Sequence, residues 1–366
     1  MKIPFVNLKL QWQLEKNDLL KIIDKIFSKA EFVGGQDIKK FEDNIKKRCN
    51  TKYAVALNSG TDALTIGLHL LGVRKGDEVI TPPNSFIAST AVIVHLGAIP
   101  VFIDVESDQN IDPKKIESAI TKKTKAIMAV HLTGRMCDMK ALNKISKKYN
   151  IPIIEDAAQA IGSTFKNKSA GSFSKIGCFS AHPLKNLNAF GDAGYLVTND
   201  YLIAKSAKSL ISHGIENRNT VRNFGYVSRM DNIQAAILNY HLKKIDKVIK
   251  LRRANAFIYK KTLDKKNVFF PEDRPDYFDT FHTFVIQGKK RDKLKFYLKK
   301  KGIETSIHYP IPIHLQPASK RLKYKKGDFP MTEKQANEIL TLPIHQYLTK
   351  KEIIYIANQV NNFYKT

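Results

Sequence analysis

Cysteine is scarce: Cys49, Cys137 and Cys178 stand far apart in 366 residues, with no CxxC and no histidine cluster beside them. That argues against a disulfide framework or a zinc site and suits a reducing compartment. Long apolar runs are lacking too. The longest, "IASTAVIVHLGAIPVFIDV", is interrupted by His95, Gly97 and Pro100, so it reads as helix, turn and strand rather than a membrane span. The opening "MKIPFVNLKLQWQLEKND" has no apolar run of secretory type. A soluble, cytoplasmic protein with no membrane partner is expected. Acidic residues are few, 34 against 61 basic, for a formal charge of +27. Arginine is also rare, eleven against fifty lysines. The lysines recur in short clusters over nearly the whole chain ("KNDLLKIIDK", "IKKRCNTK", "KKIDKVIKLRR"), which reads as solvated helix faces rather than one binding stripe. No nucleic-acid partner is expected, although a general positive field favours a phosphate-bearing substrate.

What is present is enough apolar content, 43%, for one large domain and a smaller one. From about residue 53 to 200, β-prone runs ("YAVALN", "DEVITPP", "PVFIDV", "KAIMAVHL", "IPIIEDA", "IGCFSAH", "AGYLVTN") alternate with helical patterns. This predicts α/β architecture with a mainly parallel sheet covered on both faces. After residue 230, "MDNIQAAILNYHLKKIDKVIKLRRANAFIYKKTLD" predicts two helices or one bent helix, and a lysine-rich α+β pattern follows with a final helix from about Lys350. A boundary near Asp246 divides the chain into 1–246, a large α/β domain with an N-terminal arm, and 247–366, a small α+β domain.

In open α/β sheets, ligands gather at the carboxyl ends of the strands. Four segments end there in useful chemistry. "AVALNSGTDAL" is strand, turn and helix start, whose free N–H groups suit a phosphate. "PPNSFIAST" places Phe86 in a loop entering a helix. "IPIIEDAAQA" ends a strand with Glu155 and Asp156, and "CFSAHPLKNL" ends another with Ser180, His182 and Lys185. Singly, each has an ordinary explanation: a capped turn at Gly60-Thr61, a helix cap at Asp156, a core phenylalanine, a strand-end hydroxyl, one surface lysine among many. Together they meet the needs of pyridoxal phosphate: an amine to condense with its aldehyde, a carboxylate for its ring nitrogen, a flat side chain for its face and a cradle for its phosphate.

The chain resembles the DegT/DnrJ/EryC1/StrS family of pyridoxal-phosphate sugar aminotransferases, of aminotransferase fold type I. The resemblance runs through "FVGGQDIKKFE", "NSGTDAL", "KGDEVITPPNSFIAST", "IIEDAAQAIGS", "FSAHPLKNLNAFGDAGYLVTND", "SRMDNIQAAIL" and "GIETSIHYPIPIH". It implies a seven-stranded-type sheet, with Lys185 as the cofactor-linked catalytic base. It also implies Asp156 as partner of the ring nitrogen, Gln159 at the ring face or 3'-oxygen, and Phe86 stacked on the ring. Thr61, Asp62 and Ser180 would hold the phosphate, while Arg229, His308 and Tyr309 (with His314 as the weaker candidate) would meet substrate. A homodimer with shared active sites, glutamate as amino donor and a nucleotide-linked keto sugar as acceptor are implied as well. Some relatives carry histidine in place of the lysine and act as dehydratases; Lys185 favours transamination. The alternatives are a dehydratase, a transaminase of a free keto sugar or cyclitol and, remotely, a basic regulatory protein on the same fold. One position departs from the pattern. Where relatives often carry an asparagine that reaches the partner's phosphate, this chain has Val227, with Asn223 and backbone groups as substitutes.

Overall fold

The structure is a computed structural model that describes residues 2–217 and 219–365. Two helices open the chain: α1 (Leu8–Ser28), started by the Asn7 side chain accepting from the Leu10 N–H, and α2 (Gln36–Arg48). Then strands and helices alternate: β1 (Tyr53–Leu57), α3 (Gly60–Leu70), β2 (Glu78–Thr81), α4 (Ile87–His95), β3 (Ile99–Phe102), β4 (Thr124–Val130), α5 (Met139–Tyr149) and β5 (Ile153–Asp156). The two-residue strands β6 (Thr164–Phe165) and β7 (Lys168–Ser169) precede β8 (Ile176–Ser180), β9 (Gly194–Thr198) and α6 (Tyr201–Leu210).

One seven-stranded sheet runs in the order β1-β9-β8-β5-β4-β2-β3. Its pairs are parallel except at β9, which lies antiparallel to both β1 and β8. The mainly parallel sheet predicted from the apolar runs is therefore present, with one reversed strand. Successive residues of a strand point to opposite faces, and here both faces are buried. Ile80, Ile127 and Tyr195 enter one core; their neighbours Val79, Met128 and Leu196 enter the other. That is why these strands read as continuous apolar runs rather than alternating ones.

A hairpin of β10 (Ile215–Asn217) and β11 (Thr220–Val221) leads to α7 (Asn232–Leu242) and α8 (Ile245–Thr262), so the helical stretch after residue 230 is two helices. Ile245 and Ile249 of α8 pack in the large core, whereas Ala256 and Tyr259 pack in a third core. β12 (Val268–Phe269), β13 (Tyr277–Phe278), β14 (Phe284–Gly288), α9 (Arg291–Lys300), α10 (Pro330–Glu338), β15 (Ile339–Leu342) and α11 (Lys350–Phe363) complete the chain. β12, β14 and β15 form an antiparallel sheet over that third core, while β13 pairs back to β6. α11 begins with a capping box between Thr349 and Glu352. We propose that the smaller unit begins within α8 and also recruits Ile3, which pairs with Ile303 and lies in the third core. Among the described residues no helix is long and apolar enough to cross a membrane.

Candidate active site

The carboxyl ends of β1, β4, β5 and β8 open into one cavity of about 410 Å³, which the small unit closes with residues 282–283, 308–309 and 344–345. Eight of the expected site residues line it, Thr61, Phe86, Asp156, Gln159, Ser180, Lys185, His308 and Tyr309, and so does His182.

At one end lies the start of α3. Ser59 caps the helix, its hydroxyl accepting from the Asp62 N–H at 3.0 Å. The Gly60 and Thr61 N–H groups have no partner among the described residues and sit where the helix dipole is positive, which suits an anion. Glycine is required here by close approach: a Cβ on Gly60 would meet the Ser180 Cβ at 2.7 Å, and one on Gly194 would meet the Ser59 backbone at 2.2 Å. Asp62 does not line the cavity. Its carboxylate accepts from the Ser228 hydroxyl at 2.7 Å, so any role of Asp62 runs through its backbone or through Ser228.

At the centre, Asp156 ends β5. Its Oδ2 accepts from the Ser89 hydroxyl at 2.7 Å and its Oδ1 from the Ala158 N–H at 3.2 Å. The residues after Asp156 make a turn rather than the helix that "AAQA" suggested; the side-chain bond to the amide two residues on is the competing structure that wins. Asp156 is buried and makes no ion pair among the described residues. Its neighbour Glu155 points to the opposite face. It accepts from the Gly171 and Phe173 N–H groups, the Ser174 hydroxyl and His131 Nε2 at 2.9 Å. Burial alone would raise Glu155; those donors hold it below the usual carboxylate range. The Cys137 N–H donates to His131 Nδ1, so Nε2 carries the ring hydrogen given to Glu155.

Lys185 lies in the loop after β8, its N–H donating to the His182 carbonyl at 2.8 Å. Burial pushes its amine down to about 8, while the Asp156 charge pulls the other way. The loop is fixed from behind: Asn188 exchanges side-chain hydrogen bonds with Gln11 of α1 at 3.0 and 3.3 Å, and its carbonyl meets His241 Nδ1 at 2.6 Å.

Near the mouth, Phe86 is the N-cap residue of α4, half exposed, its ring 5.9 Å from that of Tyr309. Gln159 accepts from the Thr133 N–H at 2.6 Å and hydrogen-bonds Tyr309, whose phenol burial raises. His308 stacks on Phe5 and shares a hydrogen bond with Thr341 Oγ1 at 3.0 Å. His314 stands apart: it is buried against Phe329 and bonded to Glu333 at 3.0 Å, packing its loop onto α10. Arg229 is exposed and outside the cavity of its own chain, and Val227 and Asn223 are exposed nearby. Ser89, His131, Arg252, His282 and His345 line the cavity without having been singled out. Only Ser89 had a signal, three residues past Phe86 at the start of a helix.

These donors fit pyridoxal phosphate. The unpartnered N–H groups of Gly60 and Thr61 suit its phosphate, the buried unpaired carboxylate of Asp156 suits a protonated ring nitrogen, and the deprotonable amine of Lys185 suits its aldehyde.

Comparison with known proteins agrees. Residues 13–361 match the model of the DegT/DnrJ/EryC1/StrS aminotransferase family. A pleiotropic regulatory protein of Geobacillus stearothermophilus is 37% identical, over 100% of this chain and 99% of its own. The dTDP-3-amino-3,4,6-trideoxy-alpha-D-glucose transaminase of Streptomyces venezuelae is 34% identical, over 99% of this chain and 96% of its own. The crystal structure of S. venezuelae DesV superposes with a TM-score of 0.97 at 33% identity, covering 100% of this chain and 99% of that one. Structural neighbours have been solved in PLP and PMP forms. The chain thus belongs to the DegT/DnrJ/EryC1/StrS aminotransferase family and is a pyridoxal-phosphate-dependent sugar aminotransferase.

Proposed function

We propose that the enzyme moves an amino group from glutamate to the ketone of a nucleotide-linked keto sugar, in amino-sugar and surface-polysaccharide synthesis. The observation that carries this reading is the single cavity holding Lys185, Asp156 and the α3 N-terminus together, with Tyr309 and His308 in the same lining. The bound cofactor supplies an electron sink that acidifies the hydrogen on the carbon bearing nitrogen. The chain's own residues do the rest. Thr61 and Ser180 hold the phosphate, Asp156 keeps the proton on the ring nitrogen, and Phe86 and Gln159 fix the ring's tilt. Lys185, its basicity lowered by burial, takes and returns the proton at the reacting carbon. Nucleotide-sugar transaminases among the relatives support the acceptor class. Incubating the enzyme and glutamate with a panel of nucleotide-linked and free keto sugars, with product mass as readout, tests it. Amination of only the free sugars would overturn the acceptor assignment.

Tyr309 should face the sugar. Tyr309→Phe removes one hydroxyl and keeps the ring against Phe86, so the keto-sugar KM should rise roughly 10-fold while the glutamate half-reaction barely changes. Equal damage to both half-reactions would mean that the 308–309 loop is structural.

The homodimer is read from the segment that carries Arg229. Phe224 is fully exposed, Val227 is 60% and Tyr226 41% exposed, an apolar surface continuous in sequence with an exposed arginine that lies outside its own cavity. Mixing inactive Lys185→Ala and Arg229→Ala protomers should restore part of the activity. Heterodimers that form and stay inactive would place both residues in one chain's site.

A further inference from the structure

The small-unit end of the cavity holds a cation that none of these roles uses. Arg252, on α8, is only 7% exposed and lines the cavity. Its Nη1 donates to the carbonyls of Phe281 at 3.4 Å and His282 at 3.0 Å. Its Nε is buried without a partner, and it forms no ion pair with any described residue. Beside it, His282 Nδ1, Thr283 Oγ1 and His345 Nδ1 are also buried and unpartnered, and all three residues line the same cavity. His282 senses both Lys185 and Arg252, and those two residues also share the lining of a second, smaller cavity. Burial brings Arg252 down to about 10, which leaves it charged at neutral pH, whereas burial pushes His282 well below its ordinary value and His345 down to about 4. The acids of the cavity, Asp156 and Asp192, pair with neither.

A desolvated guanidinium without a counter-ion is costly to keep. Its planar fork matches a carboxylate, and the Thr283 hydroxyl and a neutral His282 ring add donors rather than competing charge, whereas His345, whose Nε2 donates to the Pro4 carbonyl, presents an acceptor at Nδ1. The phosphate cradle lies elsewhere, at α3. An amino-acid donor carries a carboxylate one bond from the reacting carbon, so its anchor must stand beside Lys185. We infer that Arg252, supported by His282 and Thr283, is the subsite for the carboxylate of the amino donor. This rests on the reading of the donor as an amino acid.

The test uses glutarate, a dicarboxylate with no amine to react, titrated calorimetrically into the holoenzyme. Arg252→Gln should weaken glutarate roughly 10-fold or more, with Arg252→Lys in between, as expected for loss of charge-assisted hydrogen bonds. The ratio of half-reaction rates for glutamate over 1-phenylethylamine, an amine without carboxylate, should fall by a similar factor in Arg252→Gln. A purely structural role would slow both amines alike and leave that ratio unchanged, which overturns the assignment. So would unaltered glutarate affinity in Arg252→Gln, no glutarate binding by the wild type, or a loss confined to glucuronate, which would assign the subsite to a sugar acid. If no amine reacts at all, the aminotransfer reading fails, and the glutarate titration still decides whether Arg252 is an anion site.

Discussion

Lys185→Ala should abolish turnover and leave the fold intact. The amine makes no hydrogen bond or ion pair with the described residues, and burial already disfavours its charged form, so the fold loses little when it goes. The loop around it is held by other groups: the Lys185 N–H to the His182 carbonyl, the Asn186 amide to the Thr280 carbonyl, and Asn188 to Gln11 and His241. Circular dichroism and thermal melting should therefore match the wild type, while single-turnover amine release falls to background. Borohydride treatment of the wild type should bleach its visible band and fix a pyridoxyl group on the peptide containing "HPLKNL". Label on any other lysine would refute the assignment. The pH dependence has a definite sign. The captured form is the neutral amine, and the folded protein lowers this group to about 8, so reconstitution of the apoprotein should quicken as pH rises to about 8 and then level off. An unshifted surface lysine would keep gaining past pH 10, because its ordinary value is about 10.4.

The central sheet was legible because parallel strands buried on both faces leave unbroken apolar runs, as at "KAIMAV" and "IPIIED". The site was legible in part because ligand chemistry collects at the ends of such strands. What sequence could not settle is burial set by distant segments. Arg252 sits in "KVIKLRRANAF", amid lysines that read as a solvated face, and it is buried only because loop 281–282 folds over α8. Glu155 and Asp156 are adjacent and chemically alike, and only the pairing of β5 with β4 and β8 decides which faces the cavity. His314 lies in the same loop as His308, yet Glu333 on α10, nineteen residues on, draws it away. Ile3 reaches the small unit through a bridge to Ile303 that no local pattern announces.

Asp156→Asn should slow both half-reactions by roughly 10²–10³-fold, the range lost when one preorganised electrostatic partner is removed from a reacting system. The substitution separates the two roles open to this residue. As a turn former, the side chain accepts the Ala158 N–H at 3.2 Å, and an asparagine oxygen can do the same. Ser89, which donates to Oδ2 at 2.7 Å, can rotate to accept from the new amide, so melting temperature should change little. The charge is the part that asparagine cannot replace. Asp156 is buried in the cavity without an ion-pair partner among the described residues, and under the proposed function it is the group that would hold a proton on the ring nitrogen. A neutral partner lets that proton leave and weakens the electron sink that both half-reactions share. Glutamate deamination and sugar amination should thus fall together, in contrast to Tyr309→Phe, where only the sugar half suffers. Absorbance titration of the holoenzyme should show the ring nitrogen losing its proton at lower pH in Asp156→Asn. Full activity with an unchanged titration would leave Asp156 as a turn residue only. The unpartnered amides of Gly60 and Thr61 would then have to hold the cofactor with no acidic partner at its far side.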